Sequence, residues 1–289
     1  MIPPGASLPP LSHPPHVLTR RSFLKATAAL AVASTTTPAR AQSLEARLET
    51  PVFTVPDLDP AHDGLRIVQL SDLHCGAPTP AVRIVDAISR ANELRPDLVV
   101  LTGDYLCRDP GDVDRTRTLL GGLDAPTVAV LGNHDHWVDA DGATEALERN
   151  GYAVLRNQHT TLTLRGAPFT VIGIDDLLTG HARPADALAG TRRGSRIVLA
   201  HGPRTADQLR RLGDPLLCFS GHTHGGQVNV PVFTPILLRA LAHEPYARGA
   251  YRVGPVQLYV NRGVGNSALR IRVNSEPEMT LATLRAARA

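Results

Sequence analysis

Three absences bound what this chain can be. It has only three cysteines, Cys75, Cys107 and Cys218, and a small, odd number excludes a disulfide-stapled scaffold. Lysine is missing after Lys25, so every later fixed cation is an arginine, a bias that codon usage explains. Acidic residues are missing from positions 1–41, where Arg20, Arg21, Lys25 and Arg40 stand unopposed. Without those four cations the formal net charge falls from +3 to −1. The positive excess therefore belongs to the N-terminus. The remainder has no basic run that could track a phosphate backbone, which argues against a nucleic-acid partner. No apolar run reaches the ~20 residues of a membrane-spanning helix. Internal repeats, low-complexity stretches and linkers are also missing, which leaves one domain.

The N-terminus has a different grammar. Thr19-Arg20-Arg21-Ser22-Phe23-Leu24-Lys25 precedes a small-residue apolar run, Ala26 to Ser34, and then Ala39-Arg40-Ala41. A twin arginine, a modest apolar run and an A-x-A site resemble a twin-arginine export signal. Cleavage after Ala41 leaves residues 42–289, enough for one domain with a substantial core. The resemblance implies the twin-arginine translocase as a partner and residence in the periplasm or cell envelope. That route carries folded proteins, so metals could be loaded before transport.

Past the leader, short apolar runs alternate with helical patterns. Leu65–Leu70, Leu98–Leu101 and Thr127–Leu131 read as buried strands. The spacing of Val82, Val85, Ile88 and Ala91 predicts a helix, with Thr79 as its N-cap and Pro80 at its first position. Further helices are predicted around Val113–Leu120 and Ala143–Asn150. Tyr152–Leu155, Thr160–Leu164 and Phe169–Gly173 then follow as strands without helices between them. Ile197–Ala200 and Leu216–Phe219 are two more buried strands, with a helix at Thr205–Leu212 between them. Val256–Val260, Ile271–Val273 and Met279–Leu284 supply strands in the tail. Residues 231–248 read as irregular, with an apolar piece, Pro235–Ala242. That piece is either ordinary packing or a greasy wall for a lipid or wall-polymer substrate with peripheral membrane contact. The pattern predicts α/β layers joined to a second, mixed sheet.

The chemistry sits just beyond the apolar runs. Asp72 and His74, then Asp104, then Asn133 and His134, then His201, then His222 and His224 each follow a predicted strand. In open α/β sheets, ligands bind outside the carboxyl ends of strands, so five strand ends can deliver these side chains to one place. Imidazole and carboxylate together suit Zn²⁺, Mn²⁺ or Fe. Eight ligand-type side chains exceed what one tetrahedral ion uses, so two divalent ions fit better.

In order, D-x-H, G-D, G-N-H-D, H-G and G-H-T-H resemble the motifs of the calcineurin-like metallophosphoesterase superfamily. The run Gly221-His222-Thr223-His224-Gly225-Gly226-Gln227 and the tail Arg262-Gly263-Val264-Gly265 … Arg272 … Pro277-Glu278 are similar to its exported YkuE/YaeI-type bacterial branch. The resemblance implies a four-layer αββα sandwich of two mixed sheets, the metallo-dependent phosphatase fold. It implies Asp72, His74 and His224 on one ion, Asn133, His201 and His222 on the other, and Asp104 bridging both. It also implies hydrolysis of phosphate mono- or diesters by a metal-bridging hydroxide, with His134 as general acid rather than ligand. Arg108 and His136 are candidate substrate contacts, Arg108 as a fork for two phosphate oxygens. The expected substrate is a small phosphate ester, a lipid or a cell-wall polymer, and a monomer is expected.

One departure stands out. Ser/Thr-phosphatase relatives read G-D-x-x-D-R-G, and here Cys107 occupies the place of the aspartate that orients the acid histidine. His134 is then expected to lack a carboxylate partner, or to borrow Asp109 or Asp135. Cys75 and Cys107 each lie three residues past a metal-type aspartate, so their thiols either lie together, open to a disulfide, or are unrelated small core residues. His62, His159, His181 and His243 have no motif context and read as surface residues. Within the enzyme class the alternative is a pyrophosphatase acting on a nucleotide-linked lipid precursor of the UDP-diacylglucosamine type. Outside it, the alternative is a non-catalytic metal-binding scaffold.

Overall fold

Runs of Leu, Ile and Val too short for a helix and too apolar for a surface become strands covered on both faces. The computed structural model describes residues 45–287 other than 231, 232, 242 and 268; the leader expected at 1–41 lies outside the described residues. Two sheets form. The first has the order β1 (Arg47–Glu49), β13 (Glu278–Ala286), β3 (Arg66–Leu70), β4 (Leu98–Leu101), β5 (Thr127–Ala129) and β6 (Ala153–Val154), with β2 (Val52–Val55) also paired to β13. The second has the order β11 (Gly249–Val253), β12 (Val256–Val260), β10 (Leu217–Ser220), β9 (Arg196–Ala200), β8 (Ala167–Ile174) and β7 (Gln158–Leu164). Both are mixed: β13 runs antiparallel to β3, and β7 and β11 run antiparallel to their neighbours.

Side-chain alternation sorts each strand between two cores. Ile67, Leu98 and Val100 face the second sheet, where they meet Phe169, Val171, Ile197, Leu199 and Phe219. Val68, Val99 and Leu101 face the other way. There they pack on α1 (Ala81–Glu93), α2 (Asp112–Leu119) and α4 (Ala140–Glu148), which contribute Ile84, Ile88, Val113, Ala143 and Leu147. On the far side of the second sheet, Ile172, Val198, Cys218 and Leu258 pack on Ala187 of α5 (Pro184–Leu188) and on Ala206 and Leu209 of α6 (Thr205–Leu212). The result is the four-layer αββα sandwich expected from the motifs. Between the sheets Phe53, Phe219 and Tyr259 meet edge to face at 5.7 to 6.5 Å. Each fully buried Phe contributes roughly 1.5–3 kcal/mol.

Parallel pairing aligns the strand ends. Leu70 pairs with Leu101, Leu101 with Ala129, and Phe219 with Leu199. Every motif therefore leaves the same edge of its sheet. Gln69 joins the two sheets just beneath that edge, donating to Thr102 Oγ1 (3.0 Å) and to the Ser220 carbonyl (2.9 Å).

Four local expectations need correction. Thr79 does not cap α1; Pro80 holds the cap position, and Thr79 Oγ1 instead accepts from Asn266 N at 2.9 Å. Ile271–Val273 is no strand and contributes one bridge, Val228 to Val273. The segment read as irregular contains a helix, α7 (Phe233–Leu241). His62 is not a surface residue: its ring is buried, bonded to Ser195 Oγ (2.6 Å) and the Leu164 carbonyl (2.9 Å), and set edge-on to Phe169. His159, His181 and His243 are exposed, as expected.

Candidate metal centre

The loops after β3, β4, β5, β9 and β10 converge, and all eight motif side chains meet. Three groups form in which ligand-type atoms lie within 4.8 Å of one another: Asp72/His74/His224, His74/Asp104/His134 and Asp104/His201/His222. Asn133 joins the third through its Oδ1, 3.2 Å from His201 Nε2. Asp104 spans the cluster, with Oδ2 3.6 Å from His74 Nε2 and Oδ1 3.3 Å from His201 Nε2. His224 Nε2 lies 3.3 Å from Asp72 Oδ1 and 3.1 Å from His74 Nε2.

Close approach of the loops needs unusual backbone. Asp72, His74, Asp104, His222 and His224 all have positive φ, from 43° to 74°. Each such residue costs on the order of 1 kcal/mol or more, and strain of this kind gathers where function requires it. Glycine serves the remaining contacts. A Cβ on Gly132 would strike the Asp104 carboxylate and backbone, and one on Gly221 would strike Ser71 Oγ and Asp72 Oδ2. The loop after β5 starts α3 (Asn133–Val138), whose Asp135 is buried and accepts four backbone N–H groups, those of Gly132, Asp104, Tyr105 and Leu106, at 2.8 to 2.9 Å. Asp135 thus fastens the Asp104 loop to the Asn133 loop.

The ring orientations test whether cations fit. His74 Nδ1 donates to the Leu106 carbonyl (3.0 Å) and His201 Nδ1 to the Thr102 carbonyl (2.8 Å). In the neutral tautomer each Nε2 is then an acceptor. Yet His201 Nε2 faces Asn133 Oδ1 and Asp104 Oδ1, two further acceptors, and His74 Nε2 faces Asp104 Oδ2. A positive charge between them resolves the conflict, a proton on His201 Nε2 or a bound cation, and the set of imidazole nitrogens and hard oxygen donors suits a transition-metal ion. Burial pushes His74 down to about 3, with His134 adding to the effect, and pushes His222 down to about 4, aided by His201. Both rings therefore keep free lone pairs at neutral pH. Burial, with the Asp104 charge, raises Asp72 to about 6. For Asp104 burial alone would raise the pKa, but His201 and His134 outweigh it and hold the carboxyl well below its usual range. His201 is raised well above an ordinary histidine because the Asp104 carboxylate overrides its burial.

His134 stands where the motif reading puts it, beside the cluster, its ring 4.7 Å from that of His74. Its ring has no carboxylate partner among the described residues, which is the first of the two expectations, and borrows neither Asp109 nor Asp135. Asp135 is taken up by backbone N–H groups, and His134 Nδ1 bonds to the Cys107 carbonyl at 2.7 Å. The residue that replaces the relatives' aspartate thus orients the ring through its backbone. All three cysteines are free and buried, and the Cys107 thiol donates to the Ser267 carbonyl at 3.3 Å. Burial pushes Cys75 up to about 12 and Cys107 up to about 11. Arg108 is exposed one residue beyond Cys107. His136 is more engaged than a simple substrate contact: its Nε2 meets Asp175 Oδ1 at 2.6 Å, and its ring stacks on His181 at 4.2 Å.

Two participants were missed in the sequence. Arg272, buried, places Nη2 2.9 Å from His224 Nδ1 and Nη1 2.8 Å from the Arg262 carbonyl, pinning the tail against the G-H-T-H turn. Its only signal was a position in the tail motif. Asp176 is buried; its Oδ2 holds Thr179, while Oδ1 has no hydrogen-bond partner among the described residues. It stands beyond the end of β8, so the strand-end rule that found the other clusters also points to it.

A four-layer sandwich with His, Asp and Asn gathered at the carboxyl edges of both sheets defines a metal-dependent phosphoester hydrolase. Residues 65–226 match the family model for calcineurin-like phosphoesterases, and the chain belongs to that family. It is 34% identical over 284 residues to the metallophosphoesterase YkuE of Bacillus subtilis, covering 93% of this chain and 98% of that protein. It is 35% identical over 230 residues to the phosphodiesterase YaeI of Escherichia coli, covering 76% and 82%. To the UDP-2,3-diacylglucosamine pyrophosphatase LpxG of Chlamydia trachomatis it is 31% identical over 277 residues, covering 75% and 83%.

Proposed function

We propose that this protein hydrolyses phosphate diesters or monoesters at a two-ion centre outside the cytoplasmic membrane. The observation that carries the reading is the Asp104 carboxylate, which directs one oxygen to His201 and the other to His74. Asp72, His74 and His224 would hold one ion, Asn133, His201 and His222 the other, and Asp104 both. Bound there, two divalent cations (Mn, Zn or Fe) would supply the Lewis acidity that makes water nucleophilic near neutral pH and offsets phosphoryl charge. The chain's own residues do the rest. Asp104 and Asp72 fix the charge that the site can accept. The Cys107 carbonyl takes His134 Nδ1–H, so Nε2 is the atom left to carry the second proton of the imidazolium form and hand it to the departing oxygen. Arg108, exposed one residue beyond Cys107, would fork two oxygens of an incoming phosphate. The N-terminal run that resembles a twin-arginine signal supports the location and would make the translocase the export partner.

The test is a substrate panel with metals quantified on the same preparation. A chromogenic phosphodiester, a monoester and a nucleotide-linked pyrophosphate are compared, and hydrolysis of the esters is expected with two equivalents of metal. Similarity to the chlamydial pyrophosphatase supports the second reading, cleavage of a nucleotide-linked lipid precursor; preferential turnover of the pyrophosphate would select it. Metal-loaded protein inert to all three would leave a binding scaffold.

A further inference from the structure

Ten large apolar side chains are exposed among the described residues; Trp137 packs on His134, and four others come from two segments tied to the G-H-T-H turn. Phe233 (65% exposed) and Ile236 (58%) come from α7, and Leu269 (38%) and Ile271 (53%) from the loop that ends at Arg272. The two segments are joined. Gln227 Nε2 donates to the carbonyls of Leu269 (2.9 Å) and Ile271 (3.3 Å), and Val228 bridges Val273. Both are tied to metal-type residues, the loop through Arg272 on His224 and α7 through the turn at His224–Gly226. Thr234 and Leu238 form the inner side of α7, over Gly226. Phe233, Ile236 and Arg239, at three-residue spacing, form the outer side, and all three are exposed. Within the apolar piece read at 235–242, Leu238 packs inward and Ile236 is exposed.

Its charge says what it meets. Arg239 continues the outer stripe of α7, Arg270 lies between Leu269 and Ile271, and both are exposed. No acid forms an ion pair with either among the described residues, although Asp114 lines the same cavity as Arg270, and Glu244, the nearest acid to α7 in sequence, is buried. Apolar side chains interleaved with unpaired arginines are the composition of a surface that enters the boundary between acyl chains and anionic headgroups. Exposed apolar side chains grouped together, rather than scattered singly, mark an interaction surface.

We infer that the ridge formed by Phe233, Ile236, Leu269 and Ile271, with Arg239 and Arg270, docks on an anionic lipid bilayer. Docked, it would hold the centre at the headgroup plane, so the substrate class becomes phosphate esters carried by membrane lipids. That last step rests on the proposed function; the docking does not.

The test uses the full chain and two readouts. Trp137 is the one tryptophan. In a Trp137→Phe background, Phe233→Trp reports on the ridge alone, whatever the leader does. Vesicles of phosphatidylethanolamine with phosphatidylglycerol should shift its emission to the blue and allow quenching by brominated acyl chains; phosphatidylcholine vesicles should do so less, and added salt should weaken the effect. In a Phe23→Ser/Leu24→Ser parent, which weakens the leader's own affinity, Phe233→Ser/Ile236→Ser should reduce vesicle binding at least about tenfold. Turnover of a small soluble phosphodiester should be unchanged in that variant. An emission that ignores anionic vesicles overturns the docking, as does concentration-dependent self-association that quenches the probe without lipid. A protein that docks yet hydrolyses nothing would keep this inference and remove the proposed function.

Discussion

At the residue scale, the centre separates groups that hold cations from one that moves a proton. His134 contributes a proton donor whose direction is fixed by a carbonyl, so its loss should spare the ions. His134→Ala is expected to lower turnover by about 10²–10⁴-fold while metal content is retained. The loss should be larger for alkyl esters than for nitrophenyl esters, whose leaving group needs no proton. Equal losses on both would remove the acid role. Asp104→Asn should act otherwise: an amide cannot carry the charge shared by two ligand groups, so metal stoichiometry and activity should fall together, as read by elemental analysis beside kinetics. Titration gives a third test. Metal requires Asp72 ionised, and Asp72 is raised to about 6, so affinity should drop as pH falls through about 6, with a proton released on binding above the usual carboxylate range. Calorimetry in buffers of different ionisation enthalpy measures that proton.

At the element scale, the centre depends on loops that nearly touch. Gly132 has no room for a Cβ against Asp104. Gly132→Ala should therefore cost about 1–3 kcal/mol, in the range of overpacked cores, and should lower metal affinity because Asp104 must move. Chemical denaturation with and without metal separates the two effects. A variant with unchanged stability and metal content would show that the two loops are not in contact. Asp135 belongs to the same level: one carboxylate joins the turn after β4 to the start of α3 through four N–H groups. That role could not be read from G-N-H-D, where Asp135 looks like another member of the polar cluster.

At the scale of the whole molecule, stability and metal loading are linked. His74 and His222 are neutral in the fold, at about 3 and about 4, and ionise near 6.5 once unfolded. Between those limits the unfolded chain binds more protons, so these two groups favour folding above about 6.5 and that contribution is lost as pH falls toward 4. Asp72 has the opposite sign: raised in the fold, it favours the metal-free native state below about 4 and loses that contribution as pH rises through about 6. Metal reverses its effect by binding the ionised form. Thermal scans should thus show chelator lowering the melting temperature at pH 7 far more than at pH 5. A chelator effect independent of pH would argue that these groups do not hold the metal.

The sequence by itself determined the strands that end in polar clusters, the two-layer arrangement of apolar runs and the identity of all eight residues that meet. Unbroken apolar runs and strand-end placement are local, so they survive in one dimension. Only the tertiary structure decided that the Cys107 carbonyl, not a carboxylate, turns His134. It alone also decided that Arg272 lies against His224, that Asp176 stands buried beyond β8, that His62 is inside, and that the outer face of α7 is bare. Each of these depends on which backbone atoms two distant loops present to one another. That is fixed by the register between strands and by positive φ angles at the turns, and neither leaves a periodic mark in the order of residues.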